Sequence, residues 1–350
     1  MNVKDQIHLQ ERMLPAPIGG GFRMEGYWVW CGSVIKAEDG RYHMFASRWP
    51  QNQPMHPGWL LGSEIVRASS DTPEGPYQFE EVVLPARGPQ YWDGRMTHNP
   101  HITKIGDTYV LFYTGSTHPF EDPVEKLGLN DPQVIVARAN KRVGIATSKS
   151  IYGPWERRDT PILPTRPAHF DNFLTSNPAP CIGKDGSVLL MYKSRTYKKP
   201  PYVGLLHSDM TLSVARAPQY EGPYRVVQEE PLFPPEKIHL EDPFIWHTGE
   251  RYEMIAKDMN GNVCGEKYGG VHAFSPDGQH WTMCEGECAY TRNILWDDGV
   301  VRTMGNLERP FILFDENGEP THMFFATSNG TRGFYDATET WNMVIPLKHK

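Results

Sequence analysis

The sequence predicts an all-β chain folded as a five-bladed β-propeller, and two repeated signatures predict it. The first is a polar residue followed by proline, in Asn99-Pro100, Asn177-Pro178, Asp242-Pro243 and Arg309-Pro310, set in THNPHI, TSNPAP, LEDPFIW and LERPFILF. It returns roughly every 65 to 80 residues, and a period of that size marks an array of one repeated unit. Each copy runs into a glycine turn (KIGD, GKDG, HTGE, DENG) and then a second apolar strand, such as Tyr109-Val110-Leu111-Phe112-Tyr113. The second signature is Gly75-Pro76-Tyr77, Gly153-Pro154-Trp155 and Gly222-Pro223-Tyr224, with Asp277-Gly278 and Trp281 in the same place of the next unit. Proline and glycine there end one strand and turn into an outer one. The unit is thus a meander of about four short strands, the size of a propeller blade.

The units follow in order. The first runs from about Trp28 to Leu84, the second from Trp92 to Leu163, the third from Asp171 to Phe233 and the fourth from Leu240 to Trp296; the fifth opens at Leu307. The fifth lacks outer strands after Phe325, so the N-terminal segment or the WNMVIPL tail is expected to complete it and close residues 1–350 into one domain. The first unit departs from the pattern, with Cys31-Gly32 where the others carry a polar residue and proline. A long insertion in the second unit is expected as a loop over the pocket face, its nearest approach to a helical pattern being Pro123 to Asn130.

Composition agrees. The 350 residues include 32 glycines and 31 prolines, with 12% aromatic content, which suits many short strands and turns rather than helices. A net charge of −7 argues against a nucleic-acid surface, which needs a basic stripe. No apolar run reaches the length of a membrane span, and MNVKD does not open a signal peptide, so a cytoplasmic protein is expected unless a leader has been removed. Five scattered cysteines, without a Cys-x-x-Cys pair, read as reduced structural thiols.

In a circular array the starts of the innermost strands and the ends of the second strands converge on one axis. The first set comprises Trp30 to Ser33, His98 and Asn99, Ser176 and Asn177, Glu241 and Asp242, and Glu308 and Arg309. The second includes Arg48 and Trp49, Thr114 to Ser116, Lys193 to Arg195, Lys257 and Asp258, and Thr327 to Asn329. Packing alone does not call for so many charges at equivalent positions of successive blades. Carboxylates facing one another across an aromatic pocket equip a glycosidase: one is protonated to release the leaving oxygen, another ionised to activate water or attack the sugar. Trp28, Trp30, Trp49 and Trp92 are available to stack on sugar faces. The cations Arg48, Arg95, Lys193, Arg195, Lys257 and Arg309 point to an oligosaccharide with a carboxylate, sulfate or phosphate, or to a phosphorolytic reaction.

With LEDPFIW, LERPFILF and the Gly-Pro strand endings, the chain resembles the five-bladed β-propeller glycoside hydrolases of families 43 and 117. The resemblance covers nearly the whole chain as a blade pattern rather than as long identical motifs. It implies an exo-acting, inverting glycosidase with three carboxylates from different blades. Asp242 would be the carboxylate that tunes or orients, and Glu308 the general acid. The base that family 43 carries on its first inner strand has no counterpart in Trp30-Cys31-Gly32-Ser33, so Asp93 of YWDGRMTHNP is taken in its place, with Glu241 next. Trp30, Arg48, His98, Asn99, Asn177, Glu241, Lys257 and Arg309 are the expected substrate-binding residues. No cofactor and no metal-ligand cluster is expected, although a polar axis leaves room for a bound cation.

Each residue also has a structural reading. Asp242 before proline fits a turn cap, Glu308 beside Arg309 a local ion pair, and Asp93 before Gly94 a tight turn. The lost first-blade carboxylate leaves open a propeller that only binds glycans, and the same scaffold would also serve a glycoside phosphorylase.

Overall fold

The computed structural model describes residues 8–123, 125–198, 206–284, 286 and 288–349. Residues 1–7, on which the reading of the N-terminus rests, lie outside them. Among the described residues five antiparallel sheets of three or four strands follow the chain in order. Blade I holds β1 (Tyr27–Lys36), β2 (Tyr42–Pro50), β3 (Glu64–Ser70) and β4 (Gln78–Leu84). Blade II holds β5 (Met96–Ile105), β6 (Thr108–Ser116), β7 (Arg142–Ser148) and β8 (Glu156–Arg157). Blade III holds β9 (Leu174–Ile182), β10 (Val188–Arg195), β11 (Thr211–Ala217) and β12 (Arg225–Val226), and blade IV β13 (Leu240–His247), β14 (Tyr252–Asp258), β15 (Gly270–Ser275) and β16 (Thr282–Met283). A hairpin of β17 (Asn293–Leu295) and β18 (Val301–Thr303) precedes blade V, which is β19 (Leu307–Phe314), β20 (Pro320–Ser328) and β21 (Thr340–Pro346). The chain is a five-bladed β-propeller.

Blade V draws on both ends of the described chain. Its third strand is the WNMVIPL tail, and Phe22 then pairs with Asn342 of that strand, donating N–H at 2.9 Å and accepting at 3.1 Å. The N-terminal segment also bridges Ala16 to Trp296 at the hairpin, a contact the sequence repeat does not foreshadow.

The core lies between neighbouring blades, and strand periodicity builds it. Along β6, Tyr109, Leu111 and Tyr113 pack with Phe45, Ile65 and Leu84 of blade I. The alternate residues Val110 and Phe112 pack with Leu190, Tyr192 and Ala215 of blade III. A strand apolar on both faces is what a blade buried between two others requires, since successive side chains point to opposite faces.

The polar-proline repeat proves to be a β-bulge. The register of every innermost strand shifts at that point: Trp30/Ser33 in β1, His98/His101 in β5, Glu241/Phe244 in β13 and Glu308/Phe311 in β19. In β9 the shift falls opposite Met191/Lys193 of β10. Cys31, Asn99, Asn177, Asp242 and Arg309 all take a left-handed backbone, with φ of 57°, 55°, 52°, 56° and 52°. A bulge leaves one residue out of the ladder and re-aims its side chain. Blade I keeps this geometry without proline, and Gly32 is tied there by packing. A Cβ at Gly32 would stand 2.9 Å from both Asn342 Cγ and Met44 Sδ, while its N–H donates to Asn342 Oδ1 at 2.9 Å.

Among the described residues three short α-helices sit outside the blades: α1 (Leu9–Arg12), α2 (Met55–Gly62) and α3 (Pro132–Ala139). Val124 apart, residues 123–130 are not helical; the helix of that insertion begins later, where Pro132 follows Asp131. Among the described residues no helix is long and apolar enough to cross a membrane.

Candidate active site

The five bulges surround one cavity of about 390 Å³. Trp30, His98, Asn99, Asn177, Glu241, Asp242, Lys257, Glu308 and Arg309 all line it, so the inner-strand repeat brings together residues from all five blades. Helices α2 and α3 and the turn Gly333–Tyr335 supply the rim through Met55, His56, Trp59, Arg138 and Phe334.

At the centre stands the ammonium group of Lys257, at the end of β14. Its Nζ lies 2.8 Å from Glu241 Oε2, 2.9 Å from Glu308 Oε1 and 3.7 Å from Asp242 Oδ2. Burial alone would lower the Lys257 pKa, but Glu241, Glu308 and Asp242 together raise it well above the usual lysine range, so it stays charged. The three carboxylates differ in environment. Glu308 is 9% exposed, and burial pushes its pKa up, with Asp242 and Glu241 adding to the rise and Lys257 opposing it. Burial acts the same way on Glu241, yet Lys193 at 2.6 Å and Lys257 on its other oxygen hold its pKa well below the carboxylate range. Asp242 is 2% exposed and fully engaged. Its Oδ1 accepts from Asn177 Nδ2 at 2.5 Å, and its Oδ2 accepts the backbone N–H of Arg309 at 3.2 Å. Two titratable groups pushed in opposite directions within one cavity have the electrostatics that an acid and a base require.

Blade I contributes a thiol beside an imidazole. Cys31 Sγ is 3.6 Å from His98 Nε2, and Ser63 Oγ is 2.8 Å from His98 Nδ1. The Ser63 hydroxyl donates to the Thr97 carbonyl at 2.9 Å, so Nδ1 carries the imidazole proton and Nε2 accepts from the thiol. Burial, then Lys141, Arg309 and Lys193, push the His98 pKa well down, and burial pushes that of Cys31 up. Both are neutral groups. His98 stacks on Trp59, with centroids 4.7 Å apart, which fixes one aromatic wall; Trp30 with Phe334 at 6.1 Å forms another.

Asp93 is not at the axis. It is completely buried below Tyr113 and Arg87, accepting from Tyr113 Oη at 2.7 Å and from Arg87 Nε at 2.6 Å. Blade III repeats the device, with Asp171 accepting from Tyr192 Oη at 2.8 Å and Arg166 Nε at 2.9 Å. Both carboxylates brace the approach to an inner strand, and Asp93 therefore drops out as the base. Arg48 also lies off the cavity wall. It pairs with Glu64 at 2.8 Å and lies over the Tyr27 ring at 4.3 Å, because β2 turns its side chain to the outside of the blade. Arg95, Trp28 and Trp92 are likewise engaged elsewhere, with Asp122, Gln53 and Tyr113 respectively.

Sequence reasoning missed Trp59, Arg138, Lys141 and Asn306, which line the cavity without belonging to the inner-strand repeat. Asn306 Nδ2 donates to Glu308 Oε1 at 3.1 Å. Its place two residues before Glu308 is a signal that could have been used; the rim residues carry none, since insertions have no period. Among the described residues no group of three or more His, Cys, Asp and Glu side chains converges as a metal site.

No protein-family model and no curated protein matches the chain. Solved structures do. The chain is similar to Zg3597, a family 117 glycoside hydrolase from the marine bacterium Zobellia galactanivorans, at 16% identity and a TM-score of 0.67, covering 96% of this chain and 89% of that one. It is similar to BT0996, solved as an RGII complex, at 15% identity and a TM-score of 0.70, over 99% of this chain and 94% of the other. A thermostable family-43 glycoside hydrolase aligns at 12% identity and a TM-score of 0.61, over 96% and 94%. At these identities the likeness establishes the five-bladed fold, which these solved structures share.

Proposed function

We propose that the protein is a glycoside hydrolase that removes a terminal sugar from an oligosaccharide, with Glu308 as the general acid. The observation that carries this reading is the opposed pair in one cavity: a buried glutamate whose pKa is raised, Glu308, and one whose pKa is held well below the carboxylate range, Glu241, both touching Lys257. The glycoside hydrolases of the same fold support it. Glu308 would give its proton to the glycosidic oxygen as the bond to the anomeric carbon breaks. Asp242, held by Asn177 and the Arg309 amide, contributes negative charge that keeps the Glu308 proton in place.

Glu241 is the second working carboxylate. Its side chain keeps 17% exposure, against 3% for Asp242. The facing oxygens of Glu241 and Glu308 can be no further apart than two Nζ contacts, 2.8 and 2.9 Å, laid end to end. Inverting enzymes separate their carboxyls by about 6.5–9.5 Å to admit a water, and retaining ones by about 5–5.5 Å. Attack by Glu241 on the sugar, with a product of retained configuration, is compatible with that bound on the nearest oxygens, as an alternative to the inversion that the family resemblance implies.

A rim built from α2, α3 and the Gly333–Tyr335 turn favours a chain end over a chain interior, hence exo action. The lining holds eight Lys and Arg residues against three carboxylates, which favours an anionic oligosaccharide. The test is to incubate the purified protein with plant and algal oligosaccharides and measure released monosaccharide, with Glu308→Gln alongside. Release by the native protein and its loss in the variant is the expected result. Release undiminished in Glu308→Gln, or thermal stabilisation by a glycan with no release, would overturn the proposal, the second in favour of a binding protein.

A further inference from the structure

On the wall formed by blades II and III the cavity carries cations that its carboxylates do not neutralise. Arg138 lies at the end of α3, Lys141 leads into β7, and Arg195 ends β10; all three line the cavity. Their neighbour Lys193 is spent on Glu241. Lys141 is 3% exposed, and its Nζ reaches only the Ser176 hydroxyl, at 3.5 Å, and the Trp59 ring, 5.0 Å from the centroid. Arg138 Nη2 is buried with no hydrogen-bond acceptor. Arg195 Nη1 donates to the Ser208 carbonyl at 2.6 Å and touches His207 Nδ1 at 2.9 Å, neither of which bears negative charge at neutral pH. Among the described residues none of the three makes an ion pair.

Lys141 is an unpaired buried cation, which is strongly unfavourable, and the half-buried Arg138 and Arg195 beside it add mutual repulsion. The strain is visible in their protonation: burial, then Lys193, Arg138 and Arg195, pull the Lys141 pKa well below its ordinary value, and burial followed by Arg195 brings that of Arg138 down to about 10. A wall that served packing alone would put apolar side chains or a carboxylate there. Two guanidinium forks and one ammonium are what a group of two to four equivalent oxygens needs, since such groups accept several charge-assisted hydrogen bonds at once.

We infer that Arg138, Lys141 and Arg195 form an oxyanion subsite, which holds a carboxylate, sulfate or phosphate group beside Glu241. The inference rests on the reading of this cavity as the substrate site. The oxyanion has two sources. It is borne by the sugar, as a uronate or a sulfate ester, or it is inorganic phosphate acting in place of the enzyme's own nucleophile. In the second case a phosphate oxygen bonds to the anomeric carbon as the glycosidic C–O bond breaks, and the Glu308 proton goes to the leaving oxygen. The products are then a glycosyl phosphate and the shortened oligosaccharide, and the proton on the phosphate restores that of Glu308.

The test is calorimetric titration of the full chain with inorganic phosphate and, separately, with glucuronate, at fixed ionic strength in chloride. Saturable binding of at least one probe is expected, weakened at least about 10-fold in Lys141→Met and in Arg138→Gln, because a hydrogen bond to a charged group contributes about 1.5–3 kcal/mol. Thermal melts of both variants confirm the fold; Lys141→Met, which replaces an unpaired buried charge by an apolar stem, is expected to melt no lower than the native protein. Failure of both probes to bind saturably, or variants that bind like the native protein, would overturn the subsite. Turnover tells the sources apart: faster release of uronate-ended than of neutral oligosaccharides places the anion on the sugar, and a glycosyl phosphate formed only with phosphate makes it the co-substrate. Anion binding without turnover on any glycan would sink the glycosidase reading and leave the subsite standing.

Discussion

At the scale of single residues the account turns on one lysine shared by three carboxylates. Lys257 contacts Glu241, Asp242 and Glu308 and opposes the rise in the Glu308 pKa that burial drives. Removing the cation leaves three buried acids with too little compensation, and breaking a buried pair typically costs about 3–5 kcal/mol. Lys257→Met is therefore expected to lower the free energy of unfolding, measured by denaturant titration, by that order, and an unchanged value would show that the cluster is indifferent to its cation. The opposed shifts also set the pH dependence. Activity needs Glu308 protonated and Glu241 ionised, so kcat/KM should hold to below the ordinary glutamate range and fall only as pH rises through the raised value of Glu308. Stability follows the same signs. The part due to Glu308 is full below the ordinary glutamate value and lost as pH rises through its raised one; the part due to Glu241 is present above the ordinary value and lost as pH falls through its depressed one. Asp242→Asn keeps an acceptor for Asn177 or for the Arg309 amide while removing the charge behind Glu308, and is expected to reduce turnover more than melting temperature. A collapsed melting temperature would make Asp242 a holder of the bulge instead.

At the scale of elements, the repeated bulge converts a sheet into a site. Each left-handed residue leaves the ladder, and in three blades its freed N–H is taken up by a side chain of the blade next to it. Asn99 N donates to Ser47 Oγ at 3.1 Å, Asn177 N to Thr114 Oγ1 at 3.0 Å and Arg309 N to Asp242 Oδ2 at 3.2 Å; in blade I it is Gly32 N that donates to Asn342. Non-glycine residues at positive φ are uncommon and are held only where their surroundings over-determine them, and functional sites are where they gather. The repeat was legible because proline, which lacks an N–H, marks the bulge in the sequence. That Cys31-Gly32 makes the same bulge was not legible, since the constraint on Gly32 comes from Asn342 and Met44, remote in sequence. Gly32→Ala is expected to cost about 1–3 kcal/mol by overpacking, read from chemical denaturation; a neutral result would mean that blades I and V have slack where they meet.

At the scale of the whole molecule, the number of blades and the convergence of Glu241, Asp242, Lys257, Glu308 and Arg309 could be read from spacing. Side-chain direction at strand ends could not, and there Asp93 and Arg48 were misplaced: one residue of shift, or a turn before the strand, moves a side chain from the axis to the outside. The rim residues Trp59, Arg138 and Lys141 sit in insertions that obey no period. Closure makes its own prediction. Phe22 covers the free edge of β21, and an uncovered edge recruits other chains. Deleting residues 1–22 should lower the melting temperature and promote association, measured by light scattering; a monomer of native stability would show that the edge needs no cover. The central claim, that Glu308 delivers the proton to the leaving group, is tested most directly by giving Glu308→Gln two substrates of the same sugar: the oligosaccharide and the glycosyl fluoride, whose leaving group needs little protonation. The account predicts a loss of at least about 100-fold on the oligosaccharide with most of the first-turnover fluoride release kept, because breaking the bond to fluoride needs no general acid, whereas the later hydrolysis of a glycosyl-enzyme would draw on Glu308 as a base for either substrate. Equal losses on both substrates, or none on either, would contradict it.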